Sequence, residues 1–130
     1  MPHVIVEYTA NIRAEAGIAA LLKTVNDTLI AQAGVFPIGG IRSRAIELAD
    51  YRMADGAADY AFVHITLKIG AGRDAATKKR TCDALFEAVK AHFADLYARR
   101  LLALSIELYE FDEGGTYKHN NVHARFRKVN

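Results

Sequence analysis

Three residues carry groups suited to moving a proton beside an anion: Pro2, Arg42 and Arg73. If the initiator methionine is removed, as a small second residue permits, Pro2 presents a secondary amine at the start of a strand. An α-amino group ordinarily titrates near about 7.7–8. Burial and nearby cations lower that value, leaving the amine neutral and able to abstract a proton. The pyrrolidine ring fixes φ, so the lone pair has a defined direction. Arg42 follows Gly39-Gly40 at the head of a strand, and Arg73 stands where a strand hands over to a helix. A guanidinium grips a carboxylate through two parallel hydrogen bonds, and its permanent charge depresses a neighbouring amine. Arg44 shares the strand parity of Arg42, and Arg13 holds in the first half of the chain the place that Arg73 holds in the second. Both remain alternatives on sequence grounds.

No other constellation competes. Gly70-Ala71-Gly72-Arg73 places two glycines between a strand and a helix, but lacks the third glycine of a dinucleotide fingerprint and the Lys-Ser/Thr of a P-loop. The five histidines, His3, His64, His92, His119 and His123, form no HExxH pattern, and the last two fall in a segment that reads as strand. His64 reads as a hydrogen-bonded histidine inside a strand. Ser43 and Ser105 have no GxSxG elbow around them. Cys82, the single cysteine, excludes a CxxC site and an intramolecular disulfide, suits a reducing compartment, and reads as core. No metal and no cofactor are expected.

The elements that must position these groups are encoded twice. Ile46-Glu47-Leu48 recurs sixty residues on as Ile106-Glu107-Leu108, and Ile5, Arg13, Val25 and Leu29 fall on Ile65, Arg73, Leu85 and Val89. The reading is one domain, residues 1–130, with pseudo-repeats over 1–58 and 59–118 and a C-terminal extension over 119–130. Each copy reads as strand, helix, strand. His3 to Tyr8 and Ala61 to Ile69 are opening strands. Ile18, Leu21, Leu22, Val25 and Leu29 share one helical face, as do Cys82, Leu85, Phe86, Val89, Phe93 and Leu96. The closing strands run from Ile41 to about Tyr51 and from Leu101 to Phe111. Around Val122 to Phe126 an alternating pattern predicts an edge strand reaching onto a neighbour.

A βαβ crossover makes its strands parallel, so two copies supply two parallel pairs. The expected fold class is α+β: a two-layer arrangement with a four-stranded sheet and both helices on one face. Strand one is apolar at both parities, the pattern of a strand covered on both sides. With helices on one side only, copies of the same chain are expected on the other. The composition agrees with a compact chain, 130 residues at 52% hydrophobic and 25% charged. No apolar run approaches a membrane span, and the start lacks a basic and apolar leader, so a cytoplasmic protein is expected. A net charge of +2 gives nucleic acid no purchase. The expected partner is a small molecule.

Pro2 opening a strand, the repeated βαβ unit, Ile41-Arg42 at a strand start and Gly72-Arg73 at a strand-helix junction resemble the tautomerase superfamily. Within it, the stretches MPHVIVEYTANIR, GVFPIGGIRSR, MADGAADYAFVHITLKIGAGR, RLLALSIELYE and NNVHARF resemble the 5-carboxymethyl-2-hydroxymuconate isomerases of the bacterial homoprotocatechuate (4-hydroxyphenylacetate) pathway. The resemblance implies a homotrimer with three sheets around a central channel and helices outside. It also implies a cofactor-free isomerase that converts a dienol carrying several carboxylates to its keto isomer. On that implication Pro2 shuttles the proton, while Arg42 and Arg73 bind substrate carboxylates and stabilise the dienolate. Phe62 stands where the second copy would need a proline, which implies three sites per trimer. Another tautomerase activity on an enol or dienol acid, or a small-ligand-binding oligomer without chemistry, is the alternative.

Overall fold

The computed structural model describes residues 1–127. The strands are β1 (His3–Thr9), β2 (Arg42–Leu48), β3 (Tyr60–Gly70) and β4 (Leu101–Phe111), and the helices are α1 (Ile18–Ile30), α2 (Ala75–His92) and α3 (Ala94–Arg99). The four strands form one sheet in the order β2-β1-β3-β4. β1 runs parallel to β2, β3 runs parallel to β4, and the two opening strands pair antiparallel at the centre. The two βαβ units therefore give the sheet that the repeat predicts, joined back to back.

Alternation decides which side carries the core. Val4, Val6 and Tyr8 of β1 and Ala61, Val63, Ile65, Leu67 and Ile69 of β3 point to the helix side and are buried. Leu21, Val25 and Leu29 of α1 and Leu85 and Val89 of α2 close over them. Each such side chain contributes roughly 1.5–3 kcal/mol on burial. The intervening residues, including His3, Ile5, Glu7, Phe62, His64 and Lys68, face the uncovered side and are only partly buried. On that side His64 Nδ1 lies 2.7 Å from Ser105 Oγ and Nε2 lies 3.2 Å from Glu107 Oε1, so this histidine is hydrogen-bonded within the sheet.

Several boundaries differ from the sequence reading. β2 ends at Leu48 rather than near Tyr51. α1 begins only after a 3₁₀ turn over Ala10–Ile12 and Gly17, so the first helix starts later than a strict sixty-residue offset from Ala75 requires. The long second helical pattern is broken at Phe93, whose φ of −96° and ψ of 7° separate α2 from α3. Cys82 is half-buried at the margin of the core, and Thr81 takes the more central position. Burial raises the Cys82 thiol above its ordinary pKa, as does the nearby Asp83 carboxylate.

The expected strand around Val122 to Phe126 is not formed: Val122–Phe126 is a 3₁₀ helix. Local bonding explains the difference, because Asn120 Oδ1 accepts from the Val122 N–H at 2.8 Å and thereby bends the chain. Asn120 Nδ2 donates to the Gly39 carbonyl at 2.9 Å, so the tail folds onto its own chain. The end of that segment, residues 128–130, lies outside the described residues. No described helix is long and apolar enough to cross a membrane.

α2 starts at a formed cap: the Asp74 side chain accepts from the Thr77 N–H at 2.7 Å. Asp74→Ala should cost about 1 kcal/mol of stability. Leu85→Ala, which empties a position between helix and sheet, should cost about 2–5 kcal/mol. Denaturant unfolding at one fixed protein concentration checks both.

Candidate active site at the head of the first strand

The topology dictates what meets at the amino terminus. Because β1 and β2 are parallel, the head of β2 lies beside the head of β1, with Arg42 in register with His3 and its N–H donating to the Pro2 carbonyl at 3.2 Å. Because β1 and β3 are antiparallel, the far end of β3 returns to the same place, with Lys68 opposite His3 and Gly70 just beyond. Because β3 and β4 are parallel, Phe111 arrives beside Gly70. Pro2 itself is buried.

Arg73 is fixed more tightly than a surface arginine. Gly72 has φ +121°, a backbone conformation that side-chain-bearing residues rarely adopt, and this turns the chain sharply before α2. The Arg73 guanidinium donates from Nη1 to the Gly70 carbonyl and from Nη2 to the Val35 carbonyl, each at 3.1 Å. It also stacks 4.7 Å over the Phe36 ring. Two of its donors are thus anchored to backbone, which orients the others.

Arg42 lines a cleft at the amino terminus. A cleft of about 550 Å³ is lined by Met1, Gly39, Ile41, Arg42 and the tail residues Tyr117 to Asn120. The Met1 side chain occupies it: Arg42 Nη2 lies 3.4 Å and Asn120 Nδ2 3.7 Å from the thioether sulfur. Gly40 backs this contact, since a Cβ there would stand 2.8 Å from Met1 Cγ.

Electrostatics follow the geometry. Burial first, then the charges of Lys118 and Arg73, hold the Met1 amino group below the ordinary α-amino value; Arg42 adds to the lowering and Glu113 opposes it. His3 is also held below its ordinary value, by burial and then by Arg42 and Arg44.

The other candidates lie elsewhere or act differently. Arg13 pairs with Glu47 at 3.6 Å beyond the far end of β1, at the opposite end of the sheet. Arg44 shares the face of Arg42, as its parity requires, and its Nη1 lies 3.2 Å from His3 Nδ1. His119 lines the cleft, and the His123 backbone packs on Gly39. Three features had no signal in the sequence: Lys118 and Glu113 beside the amine, and the Val35 carbonyl that holds Arg73. Each reaches the site from a loop or tail whose path depends on tertiary packing.

Comparison with known proteins gives this site a context. The family model described as 5-carboxymethyl-2-hydroxymuconate isomerase matches residues 2–126. The chain is 51% identical over 127 residues to the Escherichia coli protein named 5-carboxymethyl-2-hydroxymuconate Delta-isomerase, covering 98% of this chain and 100% of that one. The crystal structure of a 5-carboxymethyl-2-hydroxymuconate isomerase from Deinococcus radiodurans R1 superposes with a TM-score of 0.93 at 50% identity, covering 98% of this chain and 95% of that one. A fused 4-OT described as a symmetric trimer shares the fold at a TM-score of 0.64 and 24% identity, over 89% of this chain and 90% of that one. From its first strand to its folded-back tail, the chain belongs to the 5-carboxymethyl-2-hydroxymuconate isomerase family, on the tautomerase fold.

Proposed function

We propose that this chain is a 5-carboxymethyl-2-hydroxymuconate Delta-isomerase that works without a cofactor and uses the Pro2 amine as its base. The observation that carries the reading is the placement of a half-buried chain terminus, next to the buried Pro2, among the charges of Lys118, Arg73 and Arg42, in a chain 51% identical to a relative of that name. Once Met1 is removed, the cleft beside Arg42 opens and the amine moves to the buried Pro2, just before the head of β1. A neutral Pro2 nitrogen takes the enol hydroxyl proton of the dienol. Arg42 and Arg73 hold substrate carboxylates and offset the negative charge that spreads through the dienolate. The protonated amine then delivers the proton to the distant carbon and returns to its starting state.

The functional form is a homotrimer with three sites, acting in the cytoplasm on an intermediate of homoprotocatechuate degradation. Support for assembly comes from the uncovered sheet face and from apolar side chains left outside the core, such as Ile46 at 46% and Leu101 at 59% exposure. A sheet with one bare face is completed by neighbours of the same chain.

Pro2→Ala should lower kcat/KM by about 100-fold or more, the usual scale of a positioned base, read from the ultraviolet absorbance of the dienol. A chain retaining Met1, verified by intact mass, should be inactive; full turnover by that form would sink the mechanism. Arg42→Ala and Arg73→Ala should each cost about 100-fold without changing the oligomer's elution volume, whereas Arg13→Ala should turn over normally. Because the working form of the amine is the neutral one, kcat/KM should fall as pH drops through the amine's pKa, and that midpoint should lie below the ordinary α-amino value of about 8.

A further inference from the structure

The two arginines leave one part of the site without a role. Lys118 lines the same cleft as Arg42, and its Nζ is 3.0 Å from Glu113 Oε2. Neither residue sits there by the accident of a loose tail. The stretch that carries Lys118 is pinned to Gly39 by Asn120, and the 3₁₀ helix that follows packs its His123 backbone on the same glycine. Glu113 opens a 3₁₀ turn at the end of β4, where Asp112 Oδ1 accepts from the Gly114 N–H at 3.0 Å. From there its carboxylate rests against Gly70, on the side of the site that also holds Arg73 through the Gly70 carbonyl.

A carboxylate thus already pairs with Lys118, resting against the glycine whose carbonyl accepts from Arg73. We propose that Lys118 is a specificity-determining residue that binds a second carboxylate of the substrate, and that Glu113 holds this position until the substrate displaces it. The assignment rests on the isomerase reading of the cleft, and it names the residue that would take a carboxylate beyond those held by the arginines. The exchange is feasible because the Lys118 and Glu113 side chains are 35% and 53% exposed, and ion pairs of that exposure are weak. At the Met1 amine, next to Pro2, the same two charges act with opposite sign. Lys118 is the strongest of the charges lowering its pKa, and Glu113 raises it. Lys118, the amine and Arg73 in turn hold the Glu113 carboxyl below its ordinary value. At Lys118, substrate entry would therefore replace one carboxylate by another.

The test uses trans,trans-muconate, a dienedioate that has no enol to ketonise, and sorbate, its monocarboxylate analogue, titrated calorimetrically at low salt into the processed oligomer. Lys118→Gln should weaken muconate about tenfold and sorbate less than about twofold, because one charge-assisted hydrogen bond is lost and the arginine forks retain the single carboxylate. Glu113→Gln should tighten muconate by about threefold, by removing the resident competitor. Lys118→Arg should restore binding to within about threefold of wild type. In the pH profile of kcat/KM, the midpoint should rise in Lys118→Gln and fall in Glu113→Gln, an opposed pair of shifts that simple loosening of the tail would not give. Wild-type failure to bind muconate, equal losses for the two ligands, or a weaker complex in Glu113→Gln each overturns the proposal. Muconate binding that behaves as stated in a protein unable to ketonise the dienol would overturn the isomerase reading and leave the carboxylate subsite standing. Normal turnover with unaltered muconate binding in Lys118→Gln would do the reverse.

Discussion

The antiparallel seam between β1 and β3 is the constraint on which the site depends. Each βαβ unit alone makes a parallel pair, and parallel strands send their heads to the same end of a sheet. Joining two such units through their opening strands reverses the second relative to the first. The head of β1 therefore meets the tails of β3 and β4, and a terminus, a strand start, a strand-helix turn and a strand end converge at one end of the sheet. Had the units joined with all strands parallel, Arg73 would lie at the far end from Pro2. The placement of cations around the amine is thus a property of topology first and of residue type second.

The same seam creates a second location related to the first by the internal repeat, at the opposite end of the sheet. There Phe62 stands for Pro2, Leu102 for Arg42, and Arg13 for Arg73. An internal residue has no free amine, and Leu102 is buried as part of the core margin. Structural ion pairs occupy the neighbourhood: Arg100 reaches Glu15 and Asp59, each at 2.7 Å, and Asn11 bonds Asp59 and the Tyr60 carbonyl. One end of the repeat carries the chain terminus beside a cleft, while the other has its charges paired within the chain.

Much of this arrangement was legible in residue types and periods. Alternation in β1 and β3 and the three-and-four spacing in α1 gave the layers, because the burial of those faces is what drives them together. Pro2, Arg42 and Arg73 stood at element ends, and the topology brings those ends together. Sequence could not choose between Arg13 and Arg73, since the choice depends on which end of the sheet faces the terminus, a long-range matter of strand pairing. The tail was misread because a short alternation near Val122 was outweighed by one side-chain bond from Asn120, a local competition invisible to a two-residue period. Glu113 and Lys118 carried no pattern at all, being surface charges by type and neighbours of the amine only through the folded path of the chain.

The run Gly70-Ala71-Gly72-Arg73 is too short to cradle a phosphate, yet its two glycines have separate duties. Gly72 supplies a backbone angle. Gly70 supplies a missing atom: the volume that its Cβ would fill is taken by the Glu113 carboxylate. A single methyl group at position 70 would therefore act on charge rather than on backbone, evicting an anion from beside the amine without altering any ionisable residue. In this chain an absent side chain functions as a socket, and the electrostatic setting of the chain terminus is written partly in steric terms.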